Sequence, residues 1–143
     1  MKKHISLGIV SLLLFSCSAI KKDASANQLQ EKYWKLIEIR GQKVTAENYL
    51  KEPYFIIKTK DNRIVGNGGC NSFSGTYELQ KETGRISISP LVATKMACIK
   101  PTVENEFFKV LETVDNYTLK YDTLQLNKAR MAPMAKFVAV YLK

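Results

Sequence analysis

The chain has 143 residues, 45% of them hydrophobic and 24% charged, which suits one hydrophobic core and is too short for two. Its 22 lysines and arginines against 13 acids give a net charge of +9, a balance that would raise nucleic acid as a partner were the first residues not an export signal. The only histidine, His4, lies in that signal, so the exported chain has no imidazole for Ser-His-Asp or Cys-His catalysis, or for histidine-liganded metal sites.

Lys2 and Lys3 precede an apolar run from Ile5 to Phe15, broken only by Ser6, Gly8 and Ser11. A membrane-crossing helix needs about 20 apolar residues, so this run fits the core of a signal peptide instead. Leu14-Phe15-Ser16-Cys17 looks like a bacterial lipobox, with Phe15 departing from the commonest middle residue. That likeness implies cleavage of residues 1–16 and a lipid, palmitate included, on Cys17. An ordinary signal peptide with an incidental cysteine is the alternative. One acyl chain anchors only marginally, and the multiple acylation of bacterial lipoproteins would hold firmly. Ser18 is compatible with sorting to the outer membrane. Residues 17–31 read as the lipidated cysteine and a flexible polar tether, and residues 32–143 as the domain. Cleavage removes Lys2 and Lys3 and lowers the net charge from +9 to +7. The remaining lysines are scattered, as on an ordinary solvated surface; anionic headgroups, an envelope protein or a polyanionic polymer are the partners such a charge would favour, and nucleic acid is not expected.

Tyr33 to Arg40 is rich in β-branched and aromatic residues and predicts a strand, with Trp34 and Leu36 on one face and Tyr33, Ile37 and Ile39 on the other. Trp34 reads as core. Pro53 opens a strand over Tyr54–Lys58, and Asp61-Asn62 turns it into Arg63-Ile64-Val65. A strand through Phe73, Thr76, Tyr77 and Leu79 turns at Glu82-Thr83-Gly84 into Arg85–Ser89, where Ile86 and Ile88 alternate with polar residues. Pro90 ends it, and Leu91 to Met96 is irregular or a short strand. Pro101 and Thr102 open the one clear helix, with Glu104 and Glu106 near its positive end. Val103, Phe107, Val110, Leu111 and Val114 share a helical face, and Asn116 is placed to cap the helix in a left-handed conformation. Tyr117–Tyr121 and Leu124–Leu126 form a hairpin turning at Asp122-Thr123, and Lys136–Leu142 is the last strand.

About eight strands and one helix cannot make a parallel sheet, whose crossovers need many helices. The expected fold is α+β and mainly β: a curved antiparallel sheet or partly closed barrel with the Phe107–Leu111 face of the helix packed on its concave side.

Three groups of residues carry a family resemblance. They are Trp34-x-Leu36; Gly68-Gly69-Cys70-Asn71-x-Phe73-x-Gly75-x-Tyr77; and Thr94-x-Met96-Ala97-Cys98, followed by the helix with Glu106 and Phe107. Together they resemble the META/HslJ-like domain family from about Tyr33 to Leu142. Many members carry proline directly after the second cysteine; here it comes two places later, at Pro101. The resemblance implies a compact β-rich domain with one helix, often on an envelope lipoprotein, with some members linked to heat shock or envelope stress. It implies no enzymatic activity.

The residues agree on little chemistry. With Cys17 lipidated in an oxidising compartment, Cys70 and Cys98 form an even pair, which reads as a disulfide; a redox-active or metal-binding thiol pair is the alternative, though no C-x-x-C spacing supports it. The glycines at 66, 68, 69 and 75 lack the Lys-Ser/Thr of a phosphate loop and read as backbone devices, with Asn67 and Asn71 bonding that backbone locally. Glu104 and Glu106 do not share a helix face, and Glu112 and Asp115 read as solvated. No catalytic residue, metal or cofactor is assigned. The chain therefore reads as a monomeric, non-enzymatic envelope lipoprotein, a binding or scaffold module with a stress-related role. The alternative is a periplasmic carrier of lipid or another apolar ligand, motivated by the Met131-Ala132-Pro133-Met134 loop.

Overall fold

The computed structural model describes residues 28–99 and 103–141. The strands are β1 (Tyr33–Ile39), β2 (Gln42–Lys43), β3 (Tyr54–Lys58), β4 (Arg63–Asn67), β5 (Ser72–Gln80), β6 (Arg85–Ile88), β7 (Val92–Ala93), β8 (Asn116–Lys120), β9 (Thr123–Asn127) and β10 (Ala135–Val140), and the helix is α1 (Glu104–Thr113). Eight strands in the order β10-β9-β8-β6-β5-β4-β3-β1 form an antiparallel sheet that closes when β1 pairs with β10. The expected mainly β fold is therefore a closed barrel, with β2 and β7 as two-residue additions at its margin. Closure leaves no long unpaired edge.

Alternation puts every second side chain inside. Trp34, Phe55, Ile57, Ile64, Ile86, Leu124, Leu126 and Phe137 are fully or almost fully buried. The helix fills the remaining interior with Phe107, Val110 and Leu111. Phe107 meets Phe73 edge-on at 5.8 Å between ring centroids and lies 5.8 Å from Phe137, which in turn meets Phe55 at 4.8 Å. Burying each such side chain stabilises the fold by about 1.5–3 kcal/mol, and offset or edge-on aromatic pairs add to this.

Several local expectations are corrected. The register of β1 against β10 shifts between Leu36 and Glu38, a bulge that turns Ile39 inward beside Trp34 and Leu36 and leaves Ile37 exposed. The helix ends at Val114 in extended conformation, and Asn116 begins β8 rather than capping the helix. Lys120 pairs with Thr123, so the hairpin turns at Tyr121-Asp122, one residue early, with Tyr121 left-handed at φ 54°. Of the two methionines in the Met131–Met134 loop, Met131 is exposed and Met134 is buried. The domain also begins before Lys32. Leu29 is buried, and its carbonyl accepts a 2.8 Å hydrogen bond from the Trp34 indole. Pro101 and Thr102 lie outside the described residues.

The registers define two rims. Tyr33, Lys58, Arg63, Thr123 and Val140 lie at the N-terminal rim, where the chain joins the barrel. Ile39, Asn67, Ser72 and Ala135 lie at the opposite, loop rim, where α1 begins.

Candidate functional site

The glycine-rich segment occupies the loop rim between β4 and β5. Asn67 Oδ1 accepts a hydrogen bond from Gly69 N at 2.9 Å, and Gly68 N donates to Asn71 O at 2.8 Å. Gly69 has φ 122°, which side chains rarely adopt. A Cβ on Gly68 would stand 2.7 Å from Glu104 Cγ and from the Phe108 ring. Gly66 and Gly75, read as backbone devices, lie in regular β4 and β5 pairings, and at Gly66 the device is close approach: a Cβ there would collide with Tyr54 O.

The tight turn aims two backbone donors at one carboxylate. Cys70 N and Asn71 N donate to Glu104 Oε2 at 3.1 and 2.5 Å, and Asn71 Nδ2 donates to Glu104 Oε1 at 2.7 Å. Asn71 Oδ1 accepts from Met96 N and Thr94 Oγ1, both at 2.8 Å. Asn71 thus ties its own loop to two distant segments, the Thr94–Met96 stretch and the start of α1. The Cys70 and Cys98 sulfurs are joined at 2.08 Å. Leu50 N and Lys51 N donate to Gly69 O at 2.7 and 3.0 Å, which ties a fourth segment to the loop.

A pair of backbone N–H groups at a glycine turn, near the N-terminus of a helix, is the usual construction for holding an anion. Here Glu104, the first residue of α1, fills it. Glu104, expected only to sit at the positive end of the helix, is 8% exposed. The signal was present in the spacing: Glu104, Phe107, Phe108 and Leu111 recur at helical intervals, so this acid sits on the buried face. Glu112 accepts from Leu91 N at 2.9 Å, tying the helix to the segment before β7. Asp115 accepts from Ala129 N at 2.9 Å and Asn116 Nδ2 at 2.7 Å, and these bonds hold its carboxyl below the usual range.

The remaining motif residues are distributed along β5. Phe73 is buried against Phe107 and Phe108. Tyr77 reaches the other rim, where its hydroxyl donates to Lys58 O at 3.1 Å and accepts from Gln30 Nε2 at 2.7 Å. On the outer wall near that rim, a groove of about 470 Å³ is lined by Tyr33, Ile56, Lys58, Val140 and Tyr141, among others. Burial, then the Glu52 carboxylate, push the Tyr33 hydroxyl well above its usual range, so it stays protonated and donates to Glu52 at 3.2 Å. Cys17 lies outside the described residues. Among the described residues no group of three or more His, Cys, Asp or Glu is placed to hold a metal ion, and no helix is long and apolar enough to cross a membrane.

A family model described as the META domain matches residues 27–141. No curated protein matches the chain. A protein solved by NMR is 25% identical, covers 78% of this chain and 91% of its own, and superposes with a TM-score of 0.60. A second NMR structure, of a protein from Burkholderia xenovorans, is 20% identical over 98% of this chain and 99% of its own, also with a TM-score of 0.60, a likeness of fold.

Proposed function

The chain belongs to the META domain family, and from that premise we propose that it is a non-catalytic binding or scaffold module of the bacterial cell envelope. A lipid on Cys17 holds it at the membrane, most simply the outer membrane, and its role is stress-related, as the resemblance implies. It meets an envelope protein or polymer through its outer surface.

One observation carries this reading: the places where a small barrel would hold a ligand are filled by its own side chains. Phe107, Val110 and Leu111 occupy the interior together with Phe55 and Phe137, and Glu104 occupies the donor pair of the loop. A carrier would need an open cup, and an acyl-transfer site would need those N–H groups free for an oxyanion. Recognition is left to the exterior.

The test is capture of the intact chain from cross-linked, solubilised envelopes, beside a Cys17→Ser chain fractionated in parallel. The expected result is a reproducibly enriched protein or polymer, with Cys17→Ser lost from the membrane fraction. Capture that enriches nothing over a mock, or a Cys17→Ser chain that stays in the membrane, would count against it. Native mass spectrometry of the purified protein should show no bound lipid.

A further inference from the structure

Eight large apolar side chains stand exposed among the described residues, and half of them, Leu50, Val92, Met96 and Ile99, come from the two segments flanking the stapled loop. Ile99 is 97% exposed, Met96 52% and Leu50 46%. Two of these backbones are hydrogen-bonded to the loop, and the third is next to the staple. Leu50 is tied to Gly69 O, Met96 to Asn71 Oδ1, and Ile99 follows the cysteine bonded to Cys70. The node holds these side chains out in water, and grouped apolar exposure of this kind marks a contact surface.

The charges around the patch select the partner. Lys51 and Lys95 interleave with the apolar positions; both are exposed and neither is ion-paired among the described residues. Of the acids nearby, Glu47 on the preceding turn is exposed, whereas Glu52 is ion-paired to Lys35 and Glu106 to Arg40. The buried centre of a protein interface is depleted in lysine. An anionic bilayer surface takes this combination well, with apolar tips below the headgroups and lysines at phosphate level.

We propose that the loop rim docks on an anionic lipid bilayer through Leu50, Met96 and Ile99, with Lys51 and Lys95 at the headgroups. The proposal rests on the envelope placement given above. The chain joins the barrel at the opposite rim, and the ten residues between Cys17 and Gln28 could reach about 33–36 Å when extended. The longest strand, β5, has nine residues and spans about 30 Å. A lipid on Cys17 and the loop rim can therefore meet the same membrane.

The test uses the chain from Ser18 to Lys143, which lacks the leader and acylation point and keeps the whole closed sheet. It should float with vesicles of phosphatidylethanolamine and phosphatidylglycerol, less so in high salt, and not with phosphatidylcholine vesicles. Ile99→Glu should lower partitioning by about tenfold or more, and Lys51→Glu with Lys95→Glu by about thirtyfold or more. Tyr121→Glu, an exposed aromatic at the other rim, should change nothing. Unchanged thermal melts would show that the variants fold. Absence of flotation with anionic vesicles, or equal flotation of Ile99→Glu, overturns the proposal. Partner capture that persists without vesicle binding rejects docking alone, whereas loss of both rejects the envelope reading too. If Ile99→Glu abolishes capture of a protein yet leaves flotation intact, the patch is a protein interface and docking on lipid is refuted.

Discussion

The two rims of the barrel are sealed by different physics. At the N-terminal rim the closures are mostly short turns and exposed polar contacts. Asp61, Asn62 and Tyr121 take left-handed turn positions, and Glu31, itself left-handed, accepts from Thr59 N at 2.6 Å and Thr59 Oγ1 at 2.9 Å. At the loop rim two larger closures dominate: the disulfide from Cys70 to Cys98 and the buried Glu104 carboxylate on Cys70 N. One of these is covalent and the other buried. The contrast separates a rim that rests on many small replaceable contacts from one that rests on a few large ones, and it predicts where substitution hurts.

The largest effect is expected from the staple. Closing a loop of 28 residues restricts the unfolded chain by roughly 3.5 kcal/mol in the chain-entropy model. Cys70→Ala with Cys98→Ala should lose about that much in urea melts, and the wild-type protein under reductant should match it. A loss below about 1 kcal/mol would show that the loop rim is held by its hydrogen bonds instead. Glu104→Gln comes next, at about 2 kcal/mol, because an amide cannot accept with a full charge from both backbone donors and the Asn71 side chain. Since Glu104 and the staple grip the same loop, their losses should not add; a double-mutant cycle with coupling under about 0.5 kcal/mol would break that picture. At the opposite rim, Glu31→Ala should cost less than about 1 kcal/mol, as its carboxylate contacts are exposed.

The same contrast explains what could be read in the sequence. The turns of the N-terminal rim and the hairpins are local, so Asp61-Asn62, Glu82-Thr83-Gly84 and the alternation of Ile86 with Ile88 locate them within a residue or so. The face of the helix was equally legible, from Phe107 to Val114. Ile39 was misplaced because a bulge changes the parity of a strand without leaving a mark in its composition. Asn71 was assigned to its own loop because nothing local reveals partners at Met96 and Glu104. For Glu104 the helix N-terminus already supplies a sufficient role, so its bonds to the distant loop leave no local sign; only its place on the Phe107 face points to burial. The apolar patch was missed for a related reason: Leu50, Met96 and Ile99 are unremarkable singly and become a surface only when the loop brings their segments together.

The smallest effect concerns acid. Three exposed or half-buried carboxyls lie below their ordinary values: Glu31, chiefly through the Thr59 backbone N–H; Glu106, chiefly through its hydrogen bond from Arg40; and Asp115, chiefly through the Ala129 N–H. Each binds its proton less readily when folded than when unfolded. Their stabilisation is therefore complete above the ordinary carboxylate values of 4.5 and 3.8 and is lost as the pH falls through the lower folded values. The melting temperature should be flat from neutral pH to about pH 5 and decline below about pH 4. Glu31→Gln separates the rims in that decline. It should lower the melting temperature slightly at neutral pH and make no difference at the acid end, where the wild-type carboxyl is protonated as well. An equal deficit at both pH values would mean that Glu31 acts through its left-handed backbone position or its neutral hydrogen bonds rather than its charge, and the N-terminal rim would then depend on turn geometry more than on ion pairing.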